Sequence, residues 1–360
     1  MLNHSSGRRR KSRPLFTLSV VAAGVVTLGA CGSTAAGPSS GSPHNGPWNI
    51  AYLAQGTTNA FAAQLDAIVK KTAKDSGKVK NLTYFDGTGD GDKQLGQMET
   101  ALTQKPDAII LTPLGKAALT ALVDRAYKSG IPVILCDSTI NSKNYTSLVG
   151  PSSYEAALPL AKWLVNDQLK GTGNIAVVDG IAGNDTSEQF GKAIRDAAKG
   201  APGIKLVQQG YGSFSVSKSK QLAQTFLSSG LKIDGWWGSG GESVAGIMGA
   251  LIDANTSPMP PVAGAAATNG TLRLASQYKI PVGMLQFPAT SGKNCVDTAL
   301  GALEGKSVPK FVNLSALPGN GDFYTADVPK YYNPKYTDDY QTGTDAVLNQ
   351  DELRALNLLK

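Results

Sequence analysis

Histidine is almost missing. Two occur in 360 residues, His4 and His44, and both precede Trp48, where the first strand-like apolar run begins. The body downstream therefore has no imidazole, which excludes Ser-His-Asp and Cys-His catalysis there, and with them any His-bearing zinc site. An enzyme would have to work through carboxylates, Lys or Tyr. Asp86, Asp137 and Asp179 fall at predicted strand ends, but acid–base chemistry needs a poised pair, and no sequence spacing establishes one. Basic charge is also scarce in the body: the formal charge is +7, and removing Arg8, Arg9, Arg10, Lys11 and Arg13 leaves +2. A near-neutral body without a Lys/Arg stripe excludes nucleic acid as an expected partner. Phosphate-binding loops are absent too. GTGDGD (87–92) follows a predicted strand but is not GxGxxG and lacks a following Lys-Ser/Thr, so it reads as a turn with Asp92 as a helix N-cap. Nucleotide hydrolysis has no support, and no cofactor is expected.

What is present begins with a leader. A basic segment without acids precedes the apolar run LFTLSVVAAGVVTLGA (15–30), which is short for a membrane span and has the layout of a secretory signal. LGAC (Leu28 to Cys31) resembles the bacterial lipobox, in which cleavage leaves a lipid-bearing Cys at the new N-terminus. We expect residues 1–30 to be removed and Cys31 to anchor the exported protein to the outer face of the bacterial membrane. The Gly/Ser/Pro-rich stretch 32–47 then serves as a flexible tether. Cysteine is otherwise limited to Cys136 and Cys295, in the apolar patterns VILC and CVDTAL. Export permits a disulfide, but small buried thiols are the expectation the patterns favour.

From Trp48 onward, Val- and Ile-rich runs alternate with helical periodicity, the pattern of parallel sheets covered by helices on both faces. Strands are expected at IAYLA (50–54), LTYF (82–85), AIIL (108–111) and PVILC (132–136), giving βαβαβαβ. After an amphipathic stretch around Trp163 to Leu169 the rhythm resumes at NIAVVD (174–179), IKLVQQ (204–209), DGWW (234–237), PVAGA (261–265) and PVGMLQ (281–286). A helix through Cys295, Val296, Ala299 and Leu303 and the run FVNL (311–314) follow. The length fits two α/β lobes. Ligands bind outside the carboxyl ends of strands in such sheets, and those ends carry Gln55 with Asn59 and Phe61, Asp86, Thr112, Asp137, Asp179, Trp237 and Gln286.

Five motifs in order carry a resemblance: QGTTNAF, DAIILTPLGKAAL, GIPVILCDS, GNIAVVDGIAGN and GMLQFP. With these, the chain resembles the ribose-type periplasmic binding proteins, the solute receptors of bacterial ABC importers, here in lipoprotein form. The resemblance implies two Rossmann-like lobes of the type I periplasmic-binding-protein fold, joined by three crossovers and closing on a solute. The N-terminal lobe would comprise 48–151 plus 287–315, the C-terminal lobe 152–286, and the Pro- and Tyr-rich 316–360 an extended surface strap. By the same resemblance Asn59, Phe61 and Asp137 line the first lobe, Phe214 the second, and Gln286 the hinge. Gln55, Thr112, Phe190, Trp237 and Asn269 complete the candidate site. An aromatic ring suits the C–H face of a sugar, and Asp and Asn suit its hydroxyl edge.

Plainer roles compete for these residues. Asn59 makes a good helix N-cap, Phe61 opens an apolar helix stripe, Asp137 can cap a turn, and Gln is commonly a surface residue. Trp236 and Trp237 alternate in one strand, so at most one faces the cleft. The family pattern is also broken. Ala62 stands at a usual aromatic, Ser138 and Phe190 at usual Arg positions, Gly240 and Gly241 at an Asn-Asp pair, and Ala266 at an Asp. Ribose would leave hydroxyls unpaired in such a site, at roughly 1–3 kcal/mol each. Glu242, Asn184 and Asn269 are the available substitutes, and a deoxy sugar, a polyol or a nucleoside fits as well. The expected function is capture of such a molecule and its delivery to a permease, with presentation to a sensor kinase or chemoreceptor as the alternative.

Overall fold

A computed structural model describes residues 46–287, 289–315, 323–324 and 331–360. The signal, Cys31 and nearly all of the tether lie outside the described residues, as do residues 316–322 and 325–330 of the strap. Two six-stranded sheets organise the rest. The first contains β1 (Trp48–Ala54), β2 (Val79–Asp86), β3 (Ala108–Leu111), β4 (Val133–Cys136), β5 (Ser147–Gly150) and β11 (Phe311–Asn313), in the spatial order β11-β5-β4-β3-β1-β2. The second contains β6 (Thr172–Asp179), β7 (Gly203–Tyr211), β8 (Gly235–Gly238), β9 (Val262–Ala265), β10 (Val282–Leu285) and β12 (Phe323–Tyr324), ordered β12-β10-β9-β8-β6-β7. All pairings are parallel except that of β12 with β10. The chain crosses between sheets after β5, after β10 and again between β11 and β12. Strands such as AIIL and VILC are buried along their whole length because helices cover both faces of the sheet.

Local chemistry fixes the elements around the cleft. Helix α1 (Ala60–Asp75) starts where Asn59 Oδ1 accepts the Ala62 N–H at 2.9 Å, and it buries Leu65, Ile68 and Val69. Helix α2 (Gly91–Thr103) is capped by Asp90, which accepts from the N–H groups of Asp92 and Lys93. The cap therefore lies two residues before the expected Asp92, because the turn closes earlier than the motif suggested. Helix α4 (Ser153–Lys162) runs on into a π-helical turn at Trp163–Gln168, the stretch whose amphipathic pattern was visible in the sequence. Strand β5 was not foreseen. Its four residues, SLVG, are too short to show a period.

Cys136 and Cys295 are joined by a disulfide, with Cα atoms 6.1 Å apart. This corrects the expectation of free thiols: Cys136 ends β4, and helix α9 (Ser291–Leu303) packs over that strand, so two cysteines 159 residues apart in sequence meet in the core.

The C-terminal residues also depart from expectation. Residues 331–360 form turns, a short 3₁₀ segment at Thr344–Ala346 and helix α10 (Gln350–Ala355) rather than an extended surface strap. Tyr340, Leu348, Leu353 and Leu358 are buried in one cluster with Leu65 and Ile68 of α1. Buried Gln64 of α1 donates to Asp339 O (2.8 Å) and accepts from Gln341 N (3.1 Å) and Thr344 Oγ1 (2.6 Å). Buried Asn269, which opens helix α8 (Asn269–Tyr278) in the other lobe, holds Asn333 and Tyr336 by three bonds of 2.9–3.0 Å. Among the described residues no helix is long and apolar enough to cross a membrane.

Candidate functional site

The carboxyl ends of both sheets face one cleft, and the lobes are closed on it. The Lys116 N–H donates to Gly183 O (3.1 Å), Asn184 Nδ2 to Pro113 O (3.1 Å), and Thr186 Oγ1 to Asp137 O (2.7 Å). Lys116 Nζ also pairs with Glu188. Asn184 does double duty, since its Oδ1 caps helix α5 (Asp185–Lys199) through the Ser187 N–H while its amide reaches across the cleft. Behind these contacts lies a cavity of about 60 Å³, room for a few water-sized groups in this closed form.

Seven expected residues surround this cavity: Gln55, Asn59, Phe61, Thr112 and Asp137 from the first lobe, and Phe190 and Phe214 from the second. The open alternatives for Asn59 and Phe61 resolve into combined roles. Asn59 caps α1 and also lines the cavity, and half-buried Phe61 packs on core residues while presenting its ring to Phe287 at 5.9 Å. Asp137 is not a turn cap. Its Oδ2 accepts from Ser291 Oγ at 3.1 Å, while Oδ1 is buried without a protein partner. Burial pushes its carboxyl up to about 7, partly offset by the Ser291 hydrogen bond. Its φ of 58° is left-handed, a region Asp tolerates better than most residues.

Three expected residues do not line the cavity. Trp237 is fully buried in the core beside Phe190, and Trp236 in the core on the opposite face of the sheet. Strand β8 continues to Gly238, so Ser239 and Gly240, not Trp237, reach the cleft. Gln286 turns away to donate to Thr342 O at 3.3 Å. Its neighbour Phe287 points into the cavity instead, as alternation along an extended chain requires. Asn269 is engaged by the C-terminal segment.

Sequence reasoning missed Phe287 as a site residue, although it sits inside the quoted motif GMLQFP. Four of the six positions that break the family pattern, Ser138, Phe190, Gly240 and Ala266, line the cavity together with Thr186, Asn184 and Glu242, while Ala62 and Gly241 do not. The glycines have a steric role. A Cβ at Gly180 would lie 2.1 Å from Phe214 Cζ, and one at Gly240 would lie 2.7 Å from Phe214 Cδ1. Glycine at 180 and 240 thus leaves room for the Phe214 ring. Phe61, Phe190, Phe214 and Phe287 together give an apolar chamber, with Phe190 edge-on to Phe287 at 5.7 Å.

Glu242 is the second buried carboxyl of the wall. It begins helix α7 (Gly241–Asp253), and burial raises it to about 7 against the N–H groups of its own backbone and of Phe61 and Ala60 across the cleft. No group of three or more His, Cys, Asp or Glu residues among the described residues could hold a metal ion.

The periplasmic binding protein domain family matches residues 50–307, and the chain belongs to that family. The resemblance to ribose-type receptors holds at this level, and the protein is a binding protein rather than an enzyme. Among its relatives, the galactofuranose-binding protein YtfQ of Escherichia coli K12 is 24% identical over 219 residues, 59% of this chain and 68% of the relative. The ribose import binding protein RbsB of Bacillus subtilis is 22% identical over 255 residues, 71% of this chain and 81% of the relative. Among solved structures, a Bacillus halodurans ABC-transporter solute-binding protein with bound myo-inositol superimposes with a TM-score of 0.71 at 24% identity, covering 81% of this chain and 99% of that one. That likeness establishes the fold: two α/β lobes of the type I periplasmic-binding kind.

Proposed function

We propose that this protein captures a sugar or polyol outside the cytoplasm and delivers it to an ABC permease, tethered to the membrane through a lipid on Cys31. The observation that carries the reading is the closed cavity, where phenylalanine rings face a buried carboxyl with one unpartnered oxygen. Rings suit the C–H faces of a carbohydrate, and the free acceptor suits its hydroxyls. The named specificities of the relatives, galactofuranose and ribose, and the myo-inositol held by the structural neighbour support the same class. The glycine and phenylalanine replacements in the second lobe favour a ligand with fewer hydroxyls on that side, such as a deoxy sugar.

A thermal-shift panel of pentoses, hexoses, deoxy sugars, polyols and nucleosides tests the reading. A ligand at about 100 times its Kd stabilises the folded state by about 2.7 kcal/mol, which moves the melting temperature by several degrees. A panel with no shift from any sugar or polyol overturns it.

A further inference from the structure

The buried chamber does not end the cleft. Asn59, Phe214 and Glu242 also form part of the wall of a second, solvent-open chamber of about 690 Å³. Asn59 comes from the first lobe and the other two from the second, so what divides the chambers is a seam between lobes, not a partition within one of them.

The outer chamber has a consistent chemistry. Thr57 and Thr58 line it from one lobe, and Ser215 and Ser217, whose hydroxyls lie 3.1 Å apart, from the other. Leu356 and Leu358 of the C-terminal segment add apolar surface, the complement of a carbohydrate C–H face. Charge on its wall is mixed: Lys220 is already paired with Asp253 at 2.7 Å, while Asp339 and Glu242 are close enough that Asp339 raises the Glu242 carboxyl. Two acids against one neutralised cation disfavour a phosphate or carboxylate group. At the seam, Glu242 is nine-tenths buried and its Oε1 finds no protein partner, which leaves an unused polar atom where a ligand passing between the chambers would lie.

We propose that the outer chamber is a second subsite, and that the natural ligand is a neutral glycoside: one sugar ring in the inner chamber, glycosidically linked to a second hydroxylated unit in the outer one. This rests on the sugar-binding reading above and specifies its ligand.

Isothermal titration of the full chain with galactose and xylose, against lactose, melibiose and xylobiose, tests it. We expect at least one disaccharide to bind tenfold or more tightly than its constituent monosaccharide. Ser217→Trp and Ala63→Leu fill the outer chamber from opposite lobes, and neither residue lines the inner one. Each should erase the disaccharide advantage while leaving monosaccharide affinity within about twofold, the ordinary spread for a site not touched. Monosaccharides that bind as tightly as every disaccharide, or a disaccharide advantage that survives both variants, would overturn the subsite and leave the sugar-binding reading standing. No binding by any of the five sugars, joined to a flat thermal-shift panel, would overturn both.

Discussion

Replacing Asp137 by Asn removes the charge while keeping the side-chain shape, and Asn tolerates the left-handed backbone at this position (φ 58°) as Asp does. In the closed form burial raises the carboxyl to about 7 from an ordinary value of 3.8. At 1.36 kcal/mol per unit, ionising it there costs up to about 4 kcal/mol. The sign follows from linkage: the native state binds the extra proton, so the stabilisation is complete below about pH 4 and is lost as pH rises through about 7. Opening of the cleft offers a cheaper escape than unfolding, because water then reaches the carboxylate, and the loss read in melting should be about 1–2 kcal/mol. Wild-type apoprotein should therefore melt lower at pH 8 than at pH 5. Asp137→Asn should flatten part of that slope, the remainder belonging to Glu242, which is raised to about 7 for the same reason. Binding should move the other way. An ionised Asp137 accepts ligand hydroxyls at about 1.5–3 kcal/mol per charge-assisted bond, so Asp137→Asn should weaken the best sugar of the panel at least tenfold. Melting curves at the two pH values and calorimetric titration decide the matter. Unchanged affinity, or a pH slope identical in both proteins, would refute the reasoning.

Three further outcomes are expected. Alkylation in denaturant should add two labels at Cys136 and Cys295 only after reduction, and Cys136→Ser with Cys295→Ser should cost about 2–5 kcal/mol of stability, the usual loss for a native disulfide. Gly180→Ala drives a Cβ to within 2.1 Å of the Phe214 ring; the ring must leave its seat, and titration should show affinity falling about tenfold, with a melting loss of about 1–3 kcal/mol typical of overpacking. Metabolic labelling with radioactive palmitate should mark the wild type and not Cys31→Ala, and an unlabelled wild type would remove the lipid anchor from the proposal.

Much of the architecture was legible because buried parallel strands announce themselves as apolar runs. AIIL became β3 without change, and PVAGA and PVGMLQ differ from β9 and β10 only at their ends. The candidate cavity was legible where a residue immediately follows a strand, as Gln55, Thr112 and Asp137 do. It failed where a shift of one residue reverses the direction of a side chain. Gln286 was named and Phe287 was not, because a motif gives the neighbourhood but not the phase of the alternation; Trp237 was named as a strand end, whereas β8 runs on to Gly238 and brings Ser239 to the cleft. Long-range partnerships were invisible for a different reason. Nothing local marks Cys136 and Cys295 as a pair, and nothing in the helix-start chemistry of Asn269 reveals that backbone from residues 333 and 336 will occupy its amide.

The anchoring of the C-terminal segment has a thermodynamic consequence. Gln64 and Asn269 belong to different lobes, and each satisfies much of its buried amide through this one segment, Gln64 through Asp339 O, Gln341 N and Thr344 Oγ1, and Asn269 through backbone of Asn333 and Tyr336. Unfolding either lobe alone would strip the segment from that lobe and strand polar groups of the survivor's docking surface, while the apolar cluster shared with α1 would be exposed as well. Two lobes with separate sheets and separate cores are in this way made to melt as a single cooperative unit, and a destabilising substitution in one is felt as a loss of heat stability in the other.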